Sequence, residues 1–388
     1  MKKQTLNLGG PQDLRSLLTL ILSSLLLAAC TRTVPPVRSL VTATPTPAPT
    51  SAPPATPQPT STPLPTPTPT ATPAPQLTQL TTGGCCVNPG WSPDSRQVFF
   101  IDKPSDSASA GIYAVDIFTG ALKAPQWNGR IGIYSPDRSL IEYTDNFETV
   151  IEKSSTGEKW MIPGQVPVDF APDNQHVAWD NDVDVTGPYD QRPSDLYVAD
   201  VNTRKPIRIT RVYGGGLVGW LPRGLKLMYL GRPSLDVHER TLTVLDLTTN
   251  VTTTLVSAER LSGMSVSKDG AWLAYYITFD ADKSRNGIWV QRTDGSQQRK
   301  LDVWGAYQWR DESRLLVIPM RASSDTAFEV WEVEVALGRQ RKLTDAATIS
   351  LQILNGDWRV SPDGRYVVYV NSVDRNLWLL TLPVAGAQ

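Results

Sequence analysis

The chain has 388 residues, with 37 Lys and Arg against 38 Asp and Glu and a formal net charge of −1 at pH 7. A balance that near zero excludes the basic face that nucleic acid requires, so no nucleic-acid partner is expected. Three cysteines exclude a small disulfide-stapled scaffold, and 15 of the 32 prolines fall within residues 31–75, so the composition changes sharply along the chain.

Residues 1–30 read as an export signal. Lys2, Lys3 and Arg15 supply positive charge, and Leu17 to Ala29 form an apolar core too short to span a bilayer as a mature helix. The core ends in Leu27-Ala28-Ala29-Cys30, which resembles the bacterial lipobox cut before a lipidated cysteine. That resemblance implies lipidation at Cys30, and acyl chains contribute about 0.8 kcal/mol per buried CH₂. No second long apolar run follows, so the lipid is the expected membrane attachment, with the protein on the extracytoplasmic side of a bacterial cell membrane. Residues 31–75 are almost all Thr, Pro, Ala and Ser. Such a segment cannot offset the entropy of ordering. It is predicted to be a disordered, semi-rigid stalk with polyproline II bias, reaching up to roughly 140 Å at about 3.1 Å per residue, and its Ser/Thr density beside Pro suits O-glycosylation.

From Gln76 onward the chain is repetitive. Trp91-Ser92-Pro93-Asp94-Ser95-Arg96 sits between apolar runs, and variants recur at Ser135-Pro136-Asp137, Ala171-Pro172-Asp173, Leu221-Pro222-Arg223, Ser267-Lys268-Asp269, Arg310-Asp311-Glu312 and Ser361-Pro362-Asp363. Pro presets the second turn position, Asp accepts backbone N–H bonds, and Gly, Ser or Asn tolerates the conformation that follows. Each unit therefore reads as a β-hairpin. A third strand with an aromatic inside an apolar run follows most hairpins, as in Asp195-Leu196-Tyr197-Val198-Ala199-Asp200, and a fourth closes most units, as in Arg341-Lys342-Leu343-Thr344. Four short strands repeating every forty to fifty residues or so predict a β-propeller. The expected fold is all-β, with seven antiparallel four-stranded blades over residues 76–388.

The pattern Val360-Ser361-Pro362-Asp363-Gly364-Arg365-Tyr366-Val367-Val368-Tyr369 resembles the WD-like propeller repeats of TolB-type proteins. The resemblance covers about residues 76–388 and implies the fold. TolB carries an additional N-terminal α/β domain to which nothing here corresponds, so its envelope role is not carried over. The seventh unit ends in a Pro/Gly/Ala tail ill-suited to a strand, while Gln76-Leu77-Thr78-Gln79-Leu80-Thr81 lies upstream without a partner. Residues 76–82 are therefore predicted to pair with residues 375–382 and close the ring, because an unpaired edge invites aggregation.

Chemistry is sparse. Of the two histidines, His176 falls in a strand and reads as a packing or hydrogen-bonded residue, and His238 is the other. No Gly-x-Ser-x-Gly elbow appears, no sialidase-type box is present and no hydrolase domain follows the repeats, so the expectation is a protein that is not an enzyme and holds no cofactor. Gly83-Gly84-Cys85-Cys86 enters the innermost strand of the first blade, placing Cys85 and Cys86 at one mouth of the channel near Trp91. Adjacent cysteines can close a strained ring in an oxidising compartment, or stay reduced or separately buried. Both readings stay open, and the glycines would let a ligand approach. Asp180, Asp182 and Asp184 partly resemble a calcium-loop start, but the glycine is misplaced and no terminal Glu follows, so a solvated acidic loop is the favoured reading and no metal is assigned. Two functions follow. The main expectation is a membrane-anchored binding or scaffold module for an envelope protein. The alternative is a carbohydrate or small-ligand receptor using the channel mouth, with Cys85, Cys86 and Trp91 as its ligand contacts, and a propeller hydrolase or lyase is third.

Overall fold

A computed structural model describes residues 74–84, 86–103, 105, 110–123, 132–320 and 327–383. Cys30, the signal, the stalk to residue 73 and Cys85 lie outside them.

The hairpins arise because each turn satisfies its own polar atoms. In four copies the serine hydroxyl donates to the aspartate two residues on, from Ser92, Ser135, Ser267 and Ser361, at 2.5–2.8 Å. The same oxygen accepts the backbone N–H five residues on, at 2.8–3.0 Å. The residue after the aspartate position has positive φ, at Ser95, Arg138, Asn174, Gly224, Gly270 and Gly364. The sixth copy differs. Trp309 pairs with Leu315, whereas Trp91 pairs with Val98, so this turn is one residue shorter. Arg310 takes the place of the Ser-Pro pair and turns a fully buried guanidinium inward.

The hairpins extend into antiparallel sheets, five of four strands and one of seven among the described residues. The first sheet holds Val87–Trp91, Gln97–Asp102, Gly111–Asp116 and Leu122–Lys123. The second holds Ile133–Tyr134, Leu140–Asp145, Glu148–Lys153 and Lys159–Ile162. The fourth runs from Leu261–Val266 to Arg299–Lys300 and the fifth from Gly305–Trp309 to Arg339–Lys342. Here the expectation of separate four-stranded blades needs correcting. The third sheet has seven strands because Ile207–Trp220 runs unbroken for 14 residues. Its first half pairs with Pro193–Asp200 and its second half with Lys226–Arg232. Gly214, Gly215 and Gly216 make the crossing possible. A Cβ at Gly214 would lie 2.0 Å from the Asp190 carbonyl oxygen, and one at Gly216 would lie 1.9 Å from the Asp180 carboxylate, so the strand passes where only glycine fits.

Apolar clusters fill the spaces between successive sheets from the second to the sixth. One joins Trp179 and Phe170 of the third sheet to Leu140 and Ile151 of the second. Others join Leu242 to Tyr275, Ile288 to Leu315, and Leu316 to Tyr369. A further cluster packs Phe100 and Tyr113 of the first sheet on Val368 and Leu379 of the sixth, bringing the chain back on itself. The arrangement is an all-β propeller with antiparallel blades.

The sixth sheet comprises Ile353–Val360, Tyr366–Asn371, Leu377–Thr381 and the N-terminal strand Gln76–Gln79. Gln76 pairs with Thr381 and Gln79 with Trp378, as the unpaired edge predicts. The clasp continues past the strand: Leu377 N–H donates to Thr81 Oγ1 at 2.9 Å, and Gly84 N–H to Asn376 Oδ1 at 3.1 Å. Leu77 and Leu80 pack on two different inter-sheet clusters, which ties both flanks of the sixth sheet.

Candidate functional site

Antiparallel hairpins sort the connections onto two ends of the propeller. The Ser-Pro-Asp turns lie at one end. The starts of the inner strands, the links between sheets and the loops joining second to third strands lie at the other. At this loop end is a cavity of ≈ 560 Å³ whose charged lining includes Asp190, Arg232, His238, Arg240, Glu259 and Arg260. Three guanidiniums thus face two carboxylates.

Each comes from an irregular connection. Asp190 sits in the 3₁₀ turn Tyr189–Gln191. Arg232 ends the strand Lys226–Arg232 opposite Tyr213, and Arg240 opens the next strand opposite Ala258. Arg260 lies in the link to the fourth sheet, its guanidinium 5.2 Å from the centre of the Phe279 ring, a cation–π contact that holds it at the rim. Arg285 braces the wall, pairing with Asp280 at 3.1 Å and Glu239 at 3.5 Å and donating to the Ser257 carbonyl at 2.7 Å.

Arg232 is the unusual member. Its side chain is 11% exposed, and its closest carboxylate, Asp190, stands 3.9 Å away. Its Nε and Nη2 are buried with no hydrogen-bond partner. Gly214 is what admits it, since a Cβ there would stand 2.9 Å from Nη2. A buried charge with unmet donors costs several kcal/mol, and an unsatisfied buried polar group calls for a functional explanation. Two unmet N–H donors of a guanidinium present the fork that binds a carboxylate.

The sequence-predicted residues are distributed otherwise. Cys86 is buried at the loop end, with Thr81 Oγ1 3.6 Å from its sulfur. It is disulfide-bonded, and its partner lies outside the described residues. Trp91 stands at the opposite end of Val87–Trp91, roughly 17 Å away at about 3.3 Å per residue, so the two do not share a mouth. Trp91 instead stacks on Tyr366 and donates its indole N–H to the Arg359 carbonyl at 3.1 Å. Trp220 and Trp309 donate their indole N–H groups from the same repeat position, to the Asp169 and Ser265 carbonyls. These tryptophans fasten each hairpin to the preceding inner strand.

His176 forms a local pair with Asp173, Nδ1 to Oδ2 at 2.6 Å, in agreement with its reading as a hydrogen-bonded residue. The acidic run does not act as a unit. Asp180 accepts the Leu217 N–H at 3.3 Å and is pushed above the usual carboxylate range by burial, while Asp184 accepts from the Thr186 N–H and hydroxyl. No group of three or more His, Cys, Asp or Glu that could hold a metal gathers among the described residues. Sequence reasoning missed Arg232, Arg240 and Arg260, and met His238 only as one of two histidines. The available signal was Gly214-Gly215-Gly216 together with the charged connection from Arg232 to Arg240.

No family model and no curated protein matches the chain. Solved structures do. An oligogalacturonate lyase in complex with manganese is similar at a TM-score of 0.55 and 16% identity, over 81% of this chain and 95% of that one. The oligogalacturonate lyase of Vibrio parahaemolyticus is similar at 0.54 and 13%, over 80% and 94%. TolB of Acinetobacter baumannii gives 0.37 and 12%, over 76% and 78%. The neighbours thus include TolB and other β-propeller proteins, and at these identities the likeness is one of fold. It nonetheless corrects two expectations. A scaffold shared over its length with lyases gives no ground for a non-catalytic protein-binding module, and the absence of a hydrolase motif gives none for excluding an enzyme, because the propeller itself can carry the activity. The manganese of the first lyase has no matching donor set among the described residues, so no step is assigned to a metal.

Proposed function

We propose that the chain is a seven-bladed propeller, the seven-stranded sheet being two blades that share one strand, and that its loop-end cavity binds and acts on an oligosaccharide bearing uronate groups. The observation that carries this reading is the buried Arg232 guanidinium, which has two nitrogens without hydrogen bonds and belongs to the lining of a cavity with two further arginines. A uronate carboxylate satisfies those donors and offsets the burial of the charge. The fold likeness to two oligogalacturonate lyases supports the choice of a uronate over other anions.

The arrangement suits β-elimination. A guanidinium on the uronate carboxylate makes the adjacent C–H more acidic by stabilising the charge that develops there. His238, which lines the cavity and carries an imidazole nitrogen able to accept a proton, takes that proton. The carbon–carbon double bond forms as the bond to the glycosidic oxygen breaks, and water at the open mouth protonates the leaving oxygen.

Incubating the full-length chain with oligogalacturonate and following the ultraviolet absorbance of the unsaturated product tests the reading. Product from the wild type and none from His238→Ala is the expected result. Binding without product makes the site a receptor, and no binding at all overturns the uronate assignment.

The propeller is displayed outside the cell on the 31–75 stalk, held by lipid at Cys30, with Cys85 the partner of Cys86 in a vicinal disulfide beside the loop end. Cys30→Ser should move the protein out of the membrane fraction. A processed Cys30→Ser chain that remains there in high salt contradicts the anchor, and a Cys86 mass peptide joined to Cys30 contradicts the vicinal pairing.

A further inference from the structure

A second cavity, of ≈ 470 Å³, is lined by Asn286, Lys300, Asp302 and Trp304. These residues lie at the start of Gly287–Arg292 and in the link from the fourth sheet to the fifth, which places the cavity at the same end as the arginine pocket. The two flank the fourth sheet. Thr278 lines the first and Asn286 the second, so the connection between them is their common wall.

That wall is fixed. Asn286 Oδ1 accepts the Asp280 N–H at 2.9 Å, Asp282 caps the turn Lys283–Arg285 through Ser284, and Lys300 Nζ donates to the Ser284 carbonyl at 2.6 Å. Arg285 reaches from it to Asp280 and Ser257, on the side of the arginine pocket. A rigid partition between two openings on one face sets a fixed spacing, close to the about 10 Å that separates packed sheets.

Trp304 gives the second cavity its chemistry. The residue is 41% exposed, and among the described residues it is the one tryptophan counted with the exposed large hydrophobic side chains. The ring meets Tyr276 edge-on at 5.3 Å, and its N–H is taken by the Met320 sulfur at 2.8 Å. With the N–H occupied, the exposed part offers only carbon. An aromatic face carries partial negative charge, and the C–H groups on one side of a pyranose ring carry partial positive charge, so the two stack. Asp302 lines the same cavity and supplies a carboxylate to accept hydroxyls.

We infer that this cavity is a second sugar subsite with Trp304 as its stacking platform, and that the ligand is an oligosaccharide crossing the fourth sheet from Arg232 to Trp304. The inference rests on the reading of the arginine pocket as a uronate site. Trp304 selects for chain length, whereas Arg232 selects for charge.

Calorimetric titration of the full-length chain with mono-, di-, tri- and tetrauronates separates the two. Wild-type affinity should rise with length. Trp304→Ala should lose about tenfold on the tetrauronate, the size of one aromatic stacking contact, with the monouronate unchanged, and Trp304→Phe should restore most of the loss. Unfolding temperatures of both variants control for misfolding. A wild-type length dependence in Trp304→Ala, or an equal loss on the monouronate, overturns the subsite while the arginine reading stands. Equal binding of every oligomer by wild type and Arg232→Met, or none by the wild type, overturns the arginine reading and the subsite with it.

Discussion

The two ends of the propeller are built on different principles. At the turn end, polar atoms are satisfied within each hairpin: serine meets aspartate, aspartate meets backbone, and tryptophan meets the neighbouring inner strand. At the loop end, connections vary in length and composition, and one buried guanidinium is left without hydrogen bonds on two of its nitrogens. A repeat protein can hold its fold with one end and vary its chemistry at the other, because each blade packs only on its neighbours.

This contrast can be broken most severely at the clasp. Deleting residues 76–82 removes a whole strand from the sixth sheet, Leu77 and Leu80 with it, and uncovers the apolar clusters on which they pack. Two half-buried leucines at up to about 1.5 kcal/mol each, with the lost strand hydrogen bonds at about 0.5–1.5 kcal/mol each, give an expected loss of about 5 kcal/mol in thermal or urea unfolding. A loss below about 1 kcal/mol would show that the ends are not joined in the working fold.

The next largest effect belongs to Arg310. It bonds Glu332, the Gly364 carbonyl and the Pro383 carbonyl, and Glu332 in turn pairs with Arg341 at 2.8 Å. Arg310→Ala leaves a buried carboxylate half-paired, and about 3–5 kcal/mol of stability should be lost. Ligand binding by the fraction that remains folded should not change, since Arg310 lies at the turn end. Altered affinity in that fraction would erase the division between the two ends.

A smaller, pH-dependent effect sharpens the comparison. Asp94 is held below the usual carboxylate range by its bond from Ser92, so its contribution is present above the unfolded pKa and lost on acidification. Asp180, towards the loop end, is shifted the other way by burial. Its folded pKa lies above its unfolded one, so its contribution favours folding in acid and is lost as pH rises through the folded value. Asp180→Asn should therefore raise the unfolding temperature at neutral pH and leave it unchanged in acid. A fall at neutral pH would mean that the bonds from Leu217 and Ser194 outweigh burial.

The turn end was legible in the sequence and the loop end was not, for a physical reason. Ser92, Pro93 and Asp94 act within a few residues of each other, so their arrangement is written in the local order, and the unpaired edge after Leu382 pointed directly to Gln76. Trp91 was read as a ligand contact, yet Trp220 and Trp309 occupy the same repeat position, and a residue that recurs in register serves the repeat. The proposed site lies where the register fails, at Arg232, His238, Arg240 and Trp304. The carboxylate nearest Arg232, Asp190, is more than forty residues away in the chain, and no local pattern records donors left without hydrogen bonds. The shared long strand was hidden for a related reason: Gly214-Gly215-Gly216 reads as a break and instead permits a crossing.

The central claim is that Arg232 forgoes stability in order to hold an anion, and Arg232→Met tests it most directly. Methionine keeps the aliphatic packing and removes the unmet charge. The unfolding temperature without ligand should rise, and tetrauronate should no longer raise it further, whereas it should stabilise the wild type. A variant that is less stable than the wild type and still stabilised by tetrauronate to the same extent would contradict the account.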